Sequence, residues 1–180
     1  MNVELLRSSL KRAKDENGGL DALGLRFYGR LFERYPTVKS LFHTPAEEQQ
    51  KKLMASLGAI VASVENPQKL LPFLHAMGVR HIQYKTEDAH YPAVSENLVA
   101  VLKEHLSNEG EWTPELQDTW EQALVAVSTI MMEAANRPEL FREELKLAGY
   151  DEHGFRETKA PASNVTDPKL EPSFTIGAEN

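Results

Sequence analysis

The sequence predicts an all-α domain, and three observations carry that reading. Apolar residues recur at offsets of three and four, as in Leu70, Leu74 and Met77, which is the spacing of one helix face. Breaks at Asn17-Gly18-Gly19, Tyr35-Pro36 and Asn66-Pro67 cut the chain into pieces of helix length. No stretch alternates with the period of two that a half-buried strand demands. Six or seven helices of about 10 to 20 residues, joined by short loops, are the result.

Each element follows from its own residues. Val3, Leu6, Leu10 and Ala13 make the first apolar stripe, with Arg and Lys gathered toward the helix end that favours cations. The second helix carries Leu20, Leu23, Phe27, Tyr28, Leu31 and Phe32. Gly24 inside it predicts a second helix backbone crossing close by. Tyr35-Pro36 stops this helix, because a residue before proline avoids the helical region. A short segment with Val38, Leu41 and Phe42 leads to Thr44-Pro45, read as an N-cap and first helical position. The helix so begun holds Leu53, Leu57, Ile60, Val61 and Val64. After Asn66-Pro67 the next stripe, Leu70, Leu74, Met77, ends in a histidine, His81. A further helix is expected from Thr86, bearing Tyr91, Pro92, Val94, Leu98 and Leu102. Thr113-Pro114 opens the last long one, through Trp120 to Met131.

The bulk composition narrows the function. A chain of 180 residues accommodates one domain, placed at 1–150. Residues 151–180, rich in Pro, Ser, Asn, Thr and charge, are expected to form a flexible C-terminal tail. A net charge of -7 and a pI of 5.4 argue against nucleic acid as a partner. No apolar run approaches the roughly 20 residues needed to cross a bilayer, and an amphipathic helix stands at the start in place of a secretory signal. A cytoplasmic protein without a membrane partner is the expectation. The lack of cysteine excludes disulfides, thiolate metal sites and a thiol nucleophile.

His81 closes a stripe that is otherwise buried, and neutral imidazole is a ligand for transition metals. A core-edge histidine bonded to a backbone carbonyl fits the same pattern, and the helix alone does not separate the two. Tyr28 on an apolar face and Phe42 likewise read as core residues when taken singly.

Taken together the segments resemble the bacterial globins and the haem domains of flavohaemoglobins. The matching text is Arg26-Phe27-Tyr28-Gly29-Arg30-Leu31-Phe32, then Pro36, then Val38-Lys39-Ser40-Leu41-Phe42. Gln49 through Leu53, Val79-Arg80-His81, Ala89-His90-Tyr91-Pro92 and Asp118-Thr119-Trp120 continue it in order, over about residues 4 to 145. The resemblance implies a three-over-three globin fold and a haem b group. With no cysteine available, that group is held non-covalently.

By the same resemblance His81 is the proximal iron ligand, and the Met77 carbonyl orients its ring. Phe42 packs on the haem face, Tyr28 and Gln49 form the distal pair, and Leu53 is the apolar distal wall. Gln50, one step along, competes with Gln49 for the distal place. Tyr91 matches a tyrosine that supports the proximal histidine. The glutamate that accompanies it in such globins falls on Arg137 by counting from Trp120, with Glu133 one turn earlier. Arg80 and Lys52 are candidates for pairing with haem propionates, or else surface charges. His43, His75, His90, His105 and His153 read as surface or helix-end residues.

Oxygen on ferrous haem takes on superoxide-like negative charge, and a phenol and an amide are both donors near neutral pH. Two donors imply slow release. The implied activity is dioxygenation of nitric oxide to nitrate with an external reductase, because no Gly-x-Gly-x-x-Gly loop is present. Oxygen, nitric oxide and carbon monoxide are the implied ligands. An oxygen carrier or scavenger, or a gas or redox sensor signalling through the tail, is the alternative.

Overall fold

The computed structural model describes residues 1–106 and 112–157. Residues 107–111 and the part of the expected tail beyond 157 lie outside the described residues. Seven α-helices are present among those described: α1 Val3–Asp15, α2 Gly19–Arg34, α3 Ala46–Ser63, α4 Pro67–Gln83, α5 His90–His105, α6 Pro114–Asn136 and α7 Arg142–Leu147. Short 3-10 turns at Pro36–Leu41 and Pro138–Leu140 join α2 to α3 and α6 to α7.

Three helices start on side-chain caps that the sequence supplies. Asn2 accepts from the Leu5 amide, Asn66 from Lys69 and Thr113 from Leu116, with Pro67 and Pro114 placed where a helix needs no donor. Two starts differ from expectation. Helix α3 begins at Ala46, one residue late, because Pro45 stays extended at ψ 139°. Thr44 then receives the Gln49 side-chain amide in place of a backbone N–H. Helix α5 begins at His90, where Thr86 was expected. The later start leaves Pro92 in the first turn, where its missing N–H costs nothing.

The core divides into three clusters. Leu6, Leu23, Phe27, Leu31, Leu102 and Trp120 anchor the largest, where α1, α2, α5 and α6 meet. Each such side chain, removed from water, contributes about 1.5 to 3 kcal/mol before chain entropy is counted. Trp120 satisfies its buried Nε1–H on the Ser9 hydroxyl at 3.0 Å. Phe73, Leu74, Tyr91 and Met131 form the second cluster, between α4, α5 and α6.

The third cluster, Ala76, Val79, Ala134, Leu145 and Tyr150, lies where α7 and the residues after it meet α4 and α6. It shifts the expected boundary at 151. Residues 151–157 close a tight turn in which the Asp151 carboxylate accepts from the amides of His153 and Phe155, and Tyr150 bridges to Arg156. Gly154, at φ +79°, puts its Cα side against the Ala76 carbonyl group, a place no side chain could enter. Helix α4 is consequently enclosed on two sides, by α6 and by this C-terminal strap. That is why Phe73, Ala76, Val79 and Arg80 are all buried although none belongs to the Leu70–His81 stripe.

Candidate functional site

His81 sits in the last turn of α4. Its Nδ1 lies 2.6 Å from the Met77 carbonyl oxygen. A carbonyl cannot donate, so Nδ1 carries the hydrogen and Nε2 keeps its lone pair. Burial holds the imidazole pKa down at about 4; the Met77 bond opposes that shift, and the neighbouring Arg80 charge adds to it. The ring is therefore neutral near pH 7 and presents one aromatic nitrogen as a ligand. Tyr84 and Tyr91 flank it, with ring centroids 5.5 and 6.1 Å away.

Tyr91 is buried at 7% exposure, and its hydroxyl finds no hydrogen-bond partner among the described residues. Burial first, and Asp88 second, push its pKa up to about 12. Glu133 is exposed on α6 and accepts from Arg137 one turn on, at 2.5 Å. The two positions considered for a supporting acid thus pair with each other at the surface.

A second group forms around Tyr28. Its ring makes edge contacts with Phe27 at 5.1 Å and Phe42 at 5.4 Å, and Phe32 closes on Phe42 at 5.3 Å. Burial raises the Tyr28 pKa far above its ordinary value, so the phenol remains a donor at any pH the protein meets. Its hydroxyl donates a long bond, 3.3 Å, to the main-chain oxygen of Gln49. Gln50 is engaged elsewhere: its Cβ lies 3.0 Å from where a Cβ on Gly24 would stand, at the crossing of α2 and α3. The Tyr28 contact is to the Gln49 main chain, while the Gln49 side-chain amide donates to Thr44. Asn97 of α5 donates to the Phe27 carbonyl at 3.0 Å and fixes α2 next to Tyr28.

Several polar residues take positions that local pattern does not forecast. Arg80 is 2% exposed and turned away from solvent, with Nε and Nη2 bonded to the Gly154 carbonyl at 3.1 and 2.6 Å, so it reaches neither a pocket mouth nor the surface. Lys52 stays partly exposed on α3. His75 is a buried residue that meets Glu144 at 2.6 Å and stacks on Phe141 at 4.1 Å. His105 ends α5 as expected but is fully buried, bonded to the Ala13 carbonyl at 3.0 Å. Each depends on a partner distant in sequence, which local pattern does not encode.

The residues fit a flat apolar macrocycle whose metal takes one imidazole. Nε2 of a neutral His81 has no proton to shed, and Phe42, Leu53 and Val94 on the first core cluster, with Ile60 and Met77 on the second, are apolar yet only partly buried. Such side chains cover one another completely in an ordinary core.

Comparison with known proteins agrees with this geometry. The globin family model matches residues 25–131, and the chain belongs to the globin family. Family membership implies haem binding, and the fold is the globin fold. A flavohemoprotein of Rhizobium meliloti is 31% identical over 82% of this chain, and the match spans 37% of that protein. An uncharacterized globin-like protein of Aquifex aeolicus is 30% identical over 67% of this chain and 82% of its own length. The chain thus matches little more than a third of the flavohemoprotein. Among solved structures, an engineered carbene transferase from Rhodothermus marinus, designated a candidate nitric oxide dioxygenase, is 28% identical with a TM-score of 0.66, over 77% of this chain and 93% of that one. A bacterial globin from Campylobacter jejuni, 20% identical with a TM-score of 0.62, shares the fold over 76% of this chain and 96% of its own. Among the described residues no helix is long and apolar enough to cross a membrane.

Proposed function

We propose that this chain holds haem b non-covalently through His81, binds oxygen tightly and converts nitric oxide to nitrate with electrons from an external reductase. The supporting observation is the placement of Tyr28, buried against Phe42 with its hydroxyl turned to Gln49. When bound, the haem supplies gas binding and the change of iron oxidation state.

The protein's own part is positioning and charge. Met77 holds the His81 ring in one tautomer and one orientation. Phe42, Leu53 and Met77 give the cofactor apolar walls, and Tyr91 flanks the histidine. The Tyr28 hydroxyl, held by a 3.3 Å bond, would turn to a bound ligand that gathers negative charge. The Gln49 amide, which now meets Thr44, is the second donor. In a water-poor pocket such donors act strongly and stay protonated. The flavohemoprotein relatives and the Rhodothermus neighbour favour the nitric oxide reading for a donor pair of this kind.

The test mixes the oxygenated protein rapidly with nitric oxide. Ferric protein and one nitrate per haem should form, and a reductase should sustain turnover. A reaction no faster than that of a Tyr28→Phe, Gln49→Leu variant removes the enzymatic reading. The second reading, a carrier, scavenger or sensor, is favoured by the packing of residues 142–157 on the helix that bears His81. Under it, deleting residues 158–180 changes partner binding in a ligand-dependent way.

A further inference from the structure

We propose that Arg80 is a positioning residue for the iron ligand, pinning the last turn of α4 to the C-terminal strap so that the His81 ring keeps its angle. This rests on His81 being that ligand.

Helix ends fray, and α4 ends at Gln83, two residues past His81. Among the described residues, the hydrogen bond that orients the His81 ring is to the Met77 carbonyl, in the same turn as Arg80. Movement of that turn therefore moves the ligand. Arg80, about 100° round α4 from His81, grips the Gly154 carbonyl with two nitrogens, at 3.1 and 2.6 Å, while its guanidinium lies 5.1 Å over the Phe155 ring. A planar fork can do both at once; an ammonium cannot.

What it grips is itself fixed. Asp151 closes the 151–155 turn through four hydrogen bonds, two to its carboxylate, one from its own amide to the Phe155 carbonyl at 2.8 Å and one from the Gly154 amide to its carbonyl at 3.1 Å. Gly154 abuts the Ala76 carbonyl and lies so near Arg80 that a Cβ would stand 3.1 Å from the Arg80 nitrogen. Burying a guanidinium against a carbonyl is a costly way to gain stability, since an apolar side chain fills the same space at less desolvation cost. The gain is a defined geometry one residue from the ligand.

The experiment uses the haem-loaded full chain. Arg80→Gln, Arg80→Lys and Gly154→Ala are compared with wild type by resonance Raman of the ferrous protein, and by the rate of haem transfer to an apoglobin acceptor. All three should move or broaden the iron–imidazole stretching band and speed haem loss by about tenfold to a hundredfold, the usual range for groups that orient a metal ligand. Arg80→Lys is the mildest and decides the matter should the other two fail to fold. Leu6→Ala, which weakens the core far from α4, should lower the melting temperature and leave the band in place. A wild-type band that none of the three strap variants moves overturns the role of Arg80 alone. A wild-type protein with no iron–imidazole band overturns the ligand assignment together with it.

Discussion

Gly78 of α4 lies directly on the Met131 backbone of α6, where a Cβ at position 78 would meet the carbonyl oxygen and come within 2.9 Å of the Met131 Cα. Backbone cannot step aside as a flexible side chain can. Gly78→Ala should therefore push α4 off α6, disturb the Phe73, Leu74, Tyr91 and Met131 cluster, and cost about 1 to 3 kcal/mol or more of stability. Urea unfolding of wild type and variant measures it. An unchanged midpoint means the two helices slide past one another without penalty.

The same α4 shows what a sequence carries and what it hides. The Leu70, Leu74, Met77, His81 stripe was legible because a helix face repeats at fixed spacing, and Gly24 announced the close crossing that Gln50 fills. The neighbouring face of α4, through Phe73, Ala76 and Arg80, was not legible. Its burial depends on a strap some 75 residues downstream, whose Gly154 and Asp151 read from composition as a flexible tail. Arg80, His75 and His105 were misplaced for one reason: each owes its burial to a partner in another segment, and charge or polarity alone suggests exposure. At the candidate site, Tyr28, Phe42 and His81 were singled out by their place in an ordered set of short segments. Adjacent Gln49 and Gln50 are not told apart by such segments, because they differ only in the face of α3 they occupy.

Tyr28→Phe removes a hydroxyl and leaves the aromatic cluster with Phe27 and Phe42 intact. Under the proposed function it should speed oxygen dissociation by about tenfold to a hundredfold, because one hydrogen bond to a charged acceptor is worth roughly 1.5 to 3 kcal/mol. Flash photolysis or stopped-flow displacement of oxygen measures the rate. An unaltered rate would mean that the phenol keeps its bond to the Gln49 main chain when ligand is present.

Glu133→Gln tests whether this surface carboxylate acts on His81. The carboxylate is paired with Arg137 in solvent, an i, i+4 contact of the kind worth about 0.3 to 0.5 kcal/mol. The melting temperature should fall only slightly, and the iron–imidazole band should not move. Tyr91→Phe is the complementary variant. Its hydroxyl is buried without a partner, so its removal should leave stability unchanged or raise it by about 1 kcal/mol. A marked loss of stability on Tyr91→Phe would show that the phenol is bonded in solution.

His81 makes stability depend on acid in a defined window. Its ordinary pKa of 6.5 falls to about 4 in the folded chain. Between these values the unfolded chain binds a proton that the folded one refuses, so protonation favours unfolding and stability rises with pH across that interval. Below about pH 4 both states are protonated and above about 6.5 neither is, and the contribution is flat at both ends. Its full size is about 3 kcal/mol. The haem-free chain should thus lose stability from pH 6.5 down to 4 more steeply than His81→Gln, whose difference from wild type isolates this one group from the other histidines. Under the proposed function the same proton would compete with the metal for Nε2 in the haem-loaded protein, because Nδ1 is already committed to Met77. Cofactor loss should then set in as pH falls and follow the haem absorbance. Parallel stability curves for wild type and His81→Gln would mean that the imidazole is hydrated in solution and not held in an apolar site.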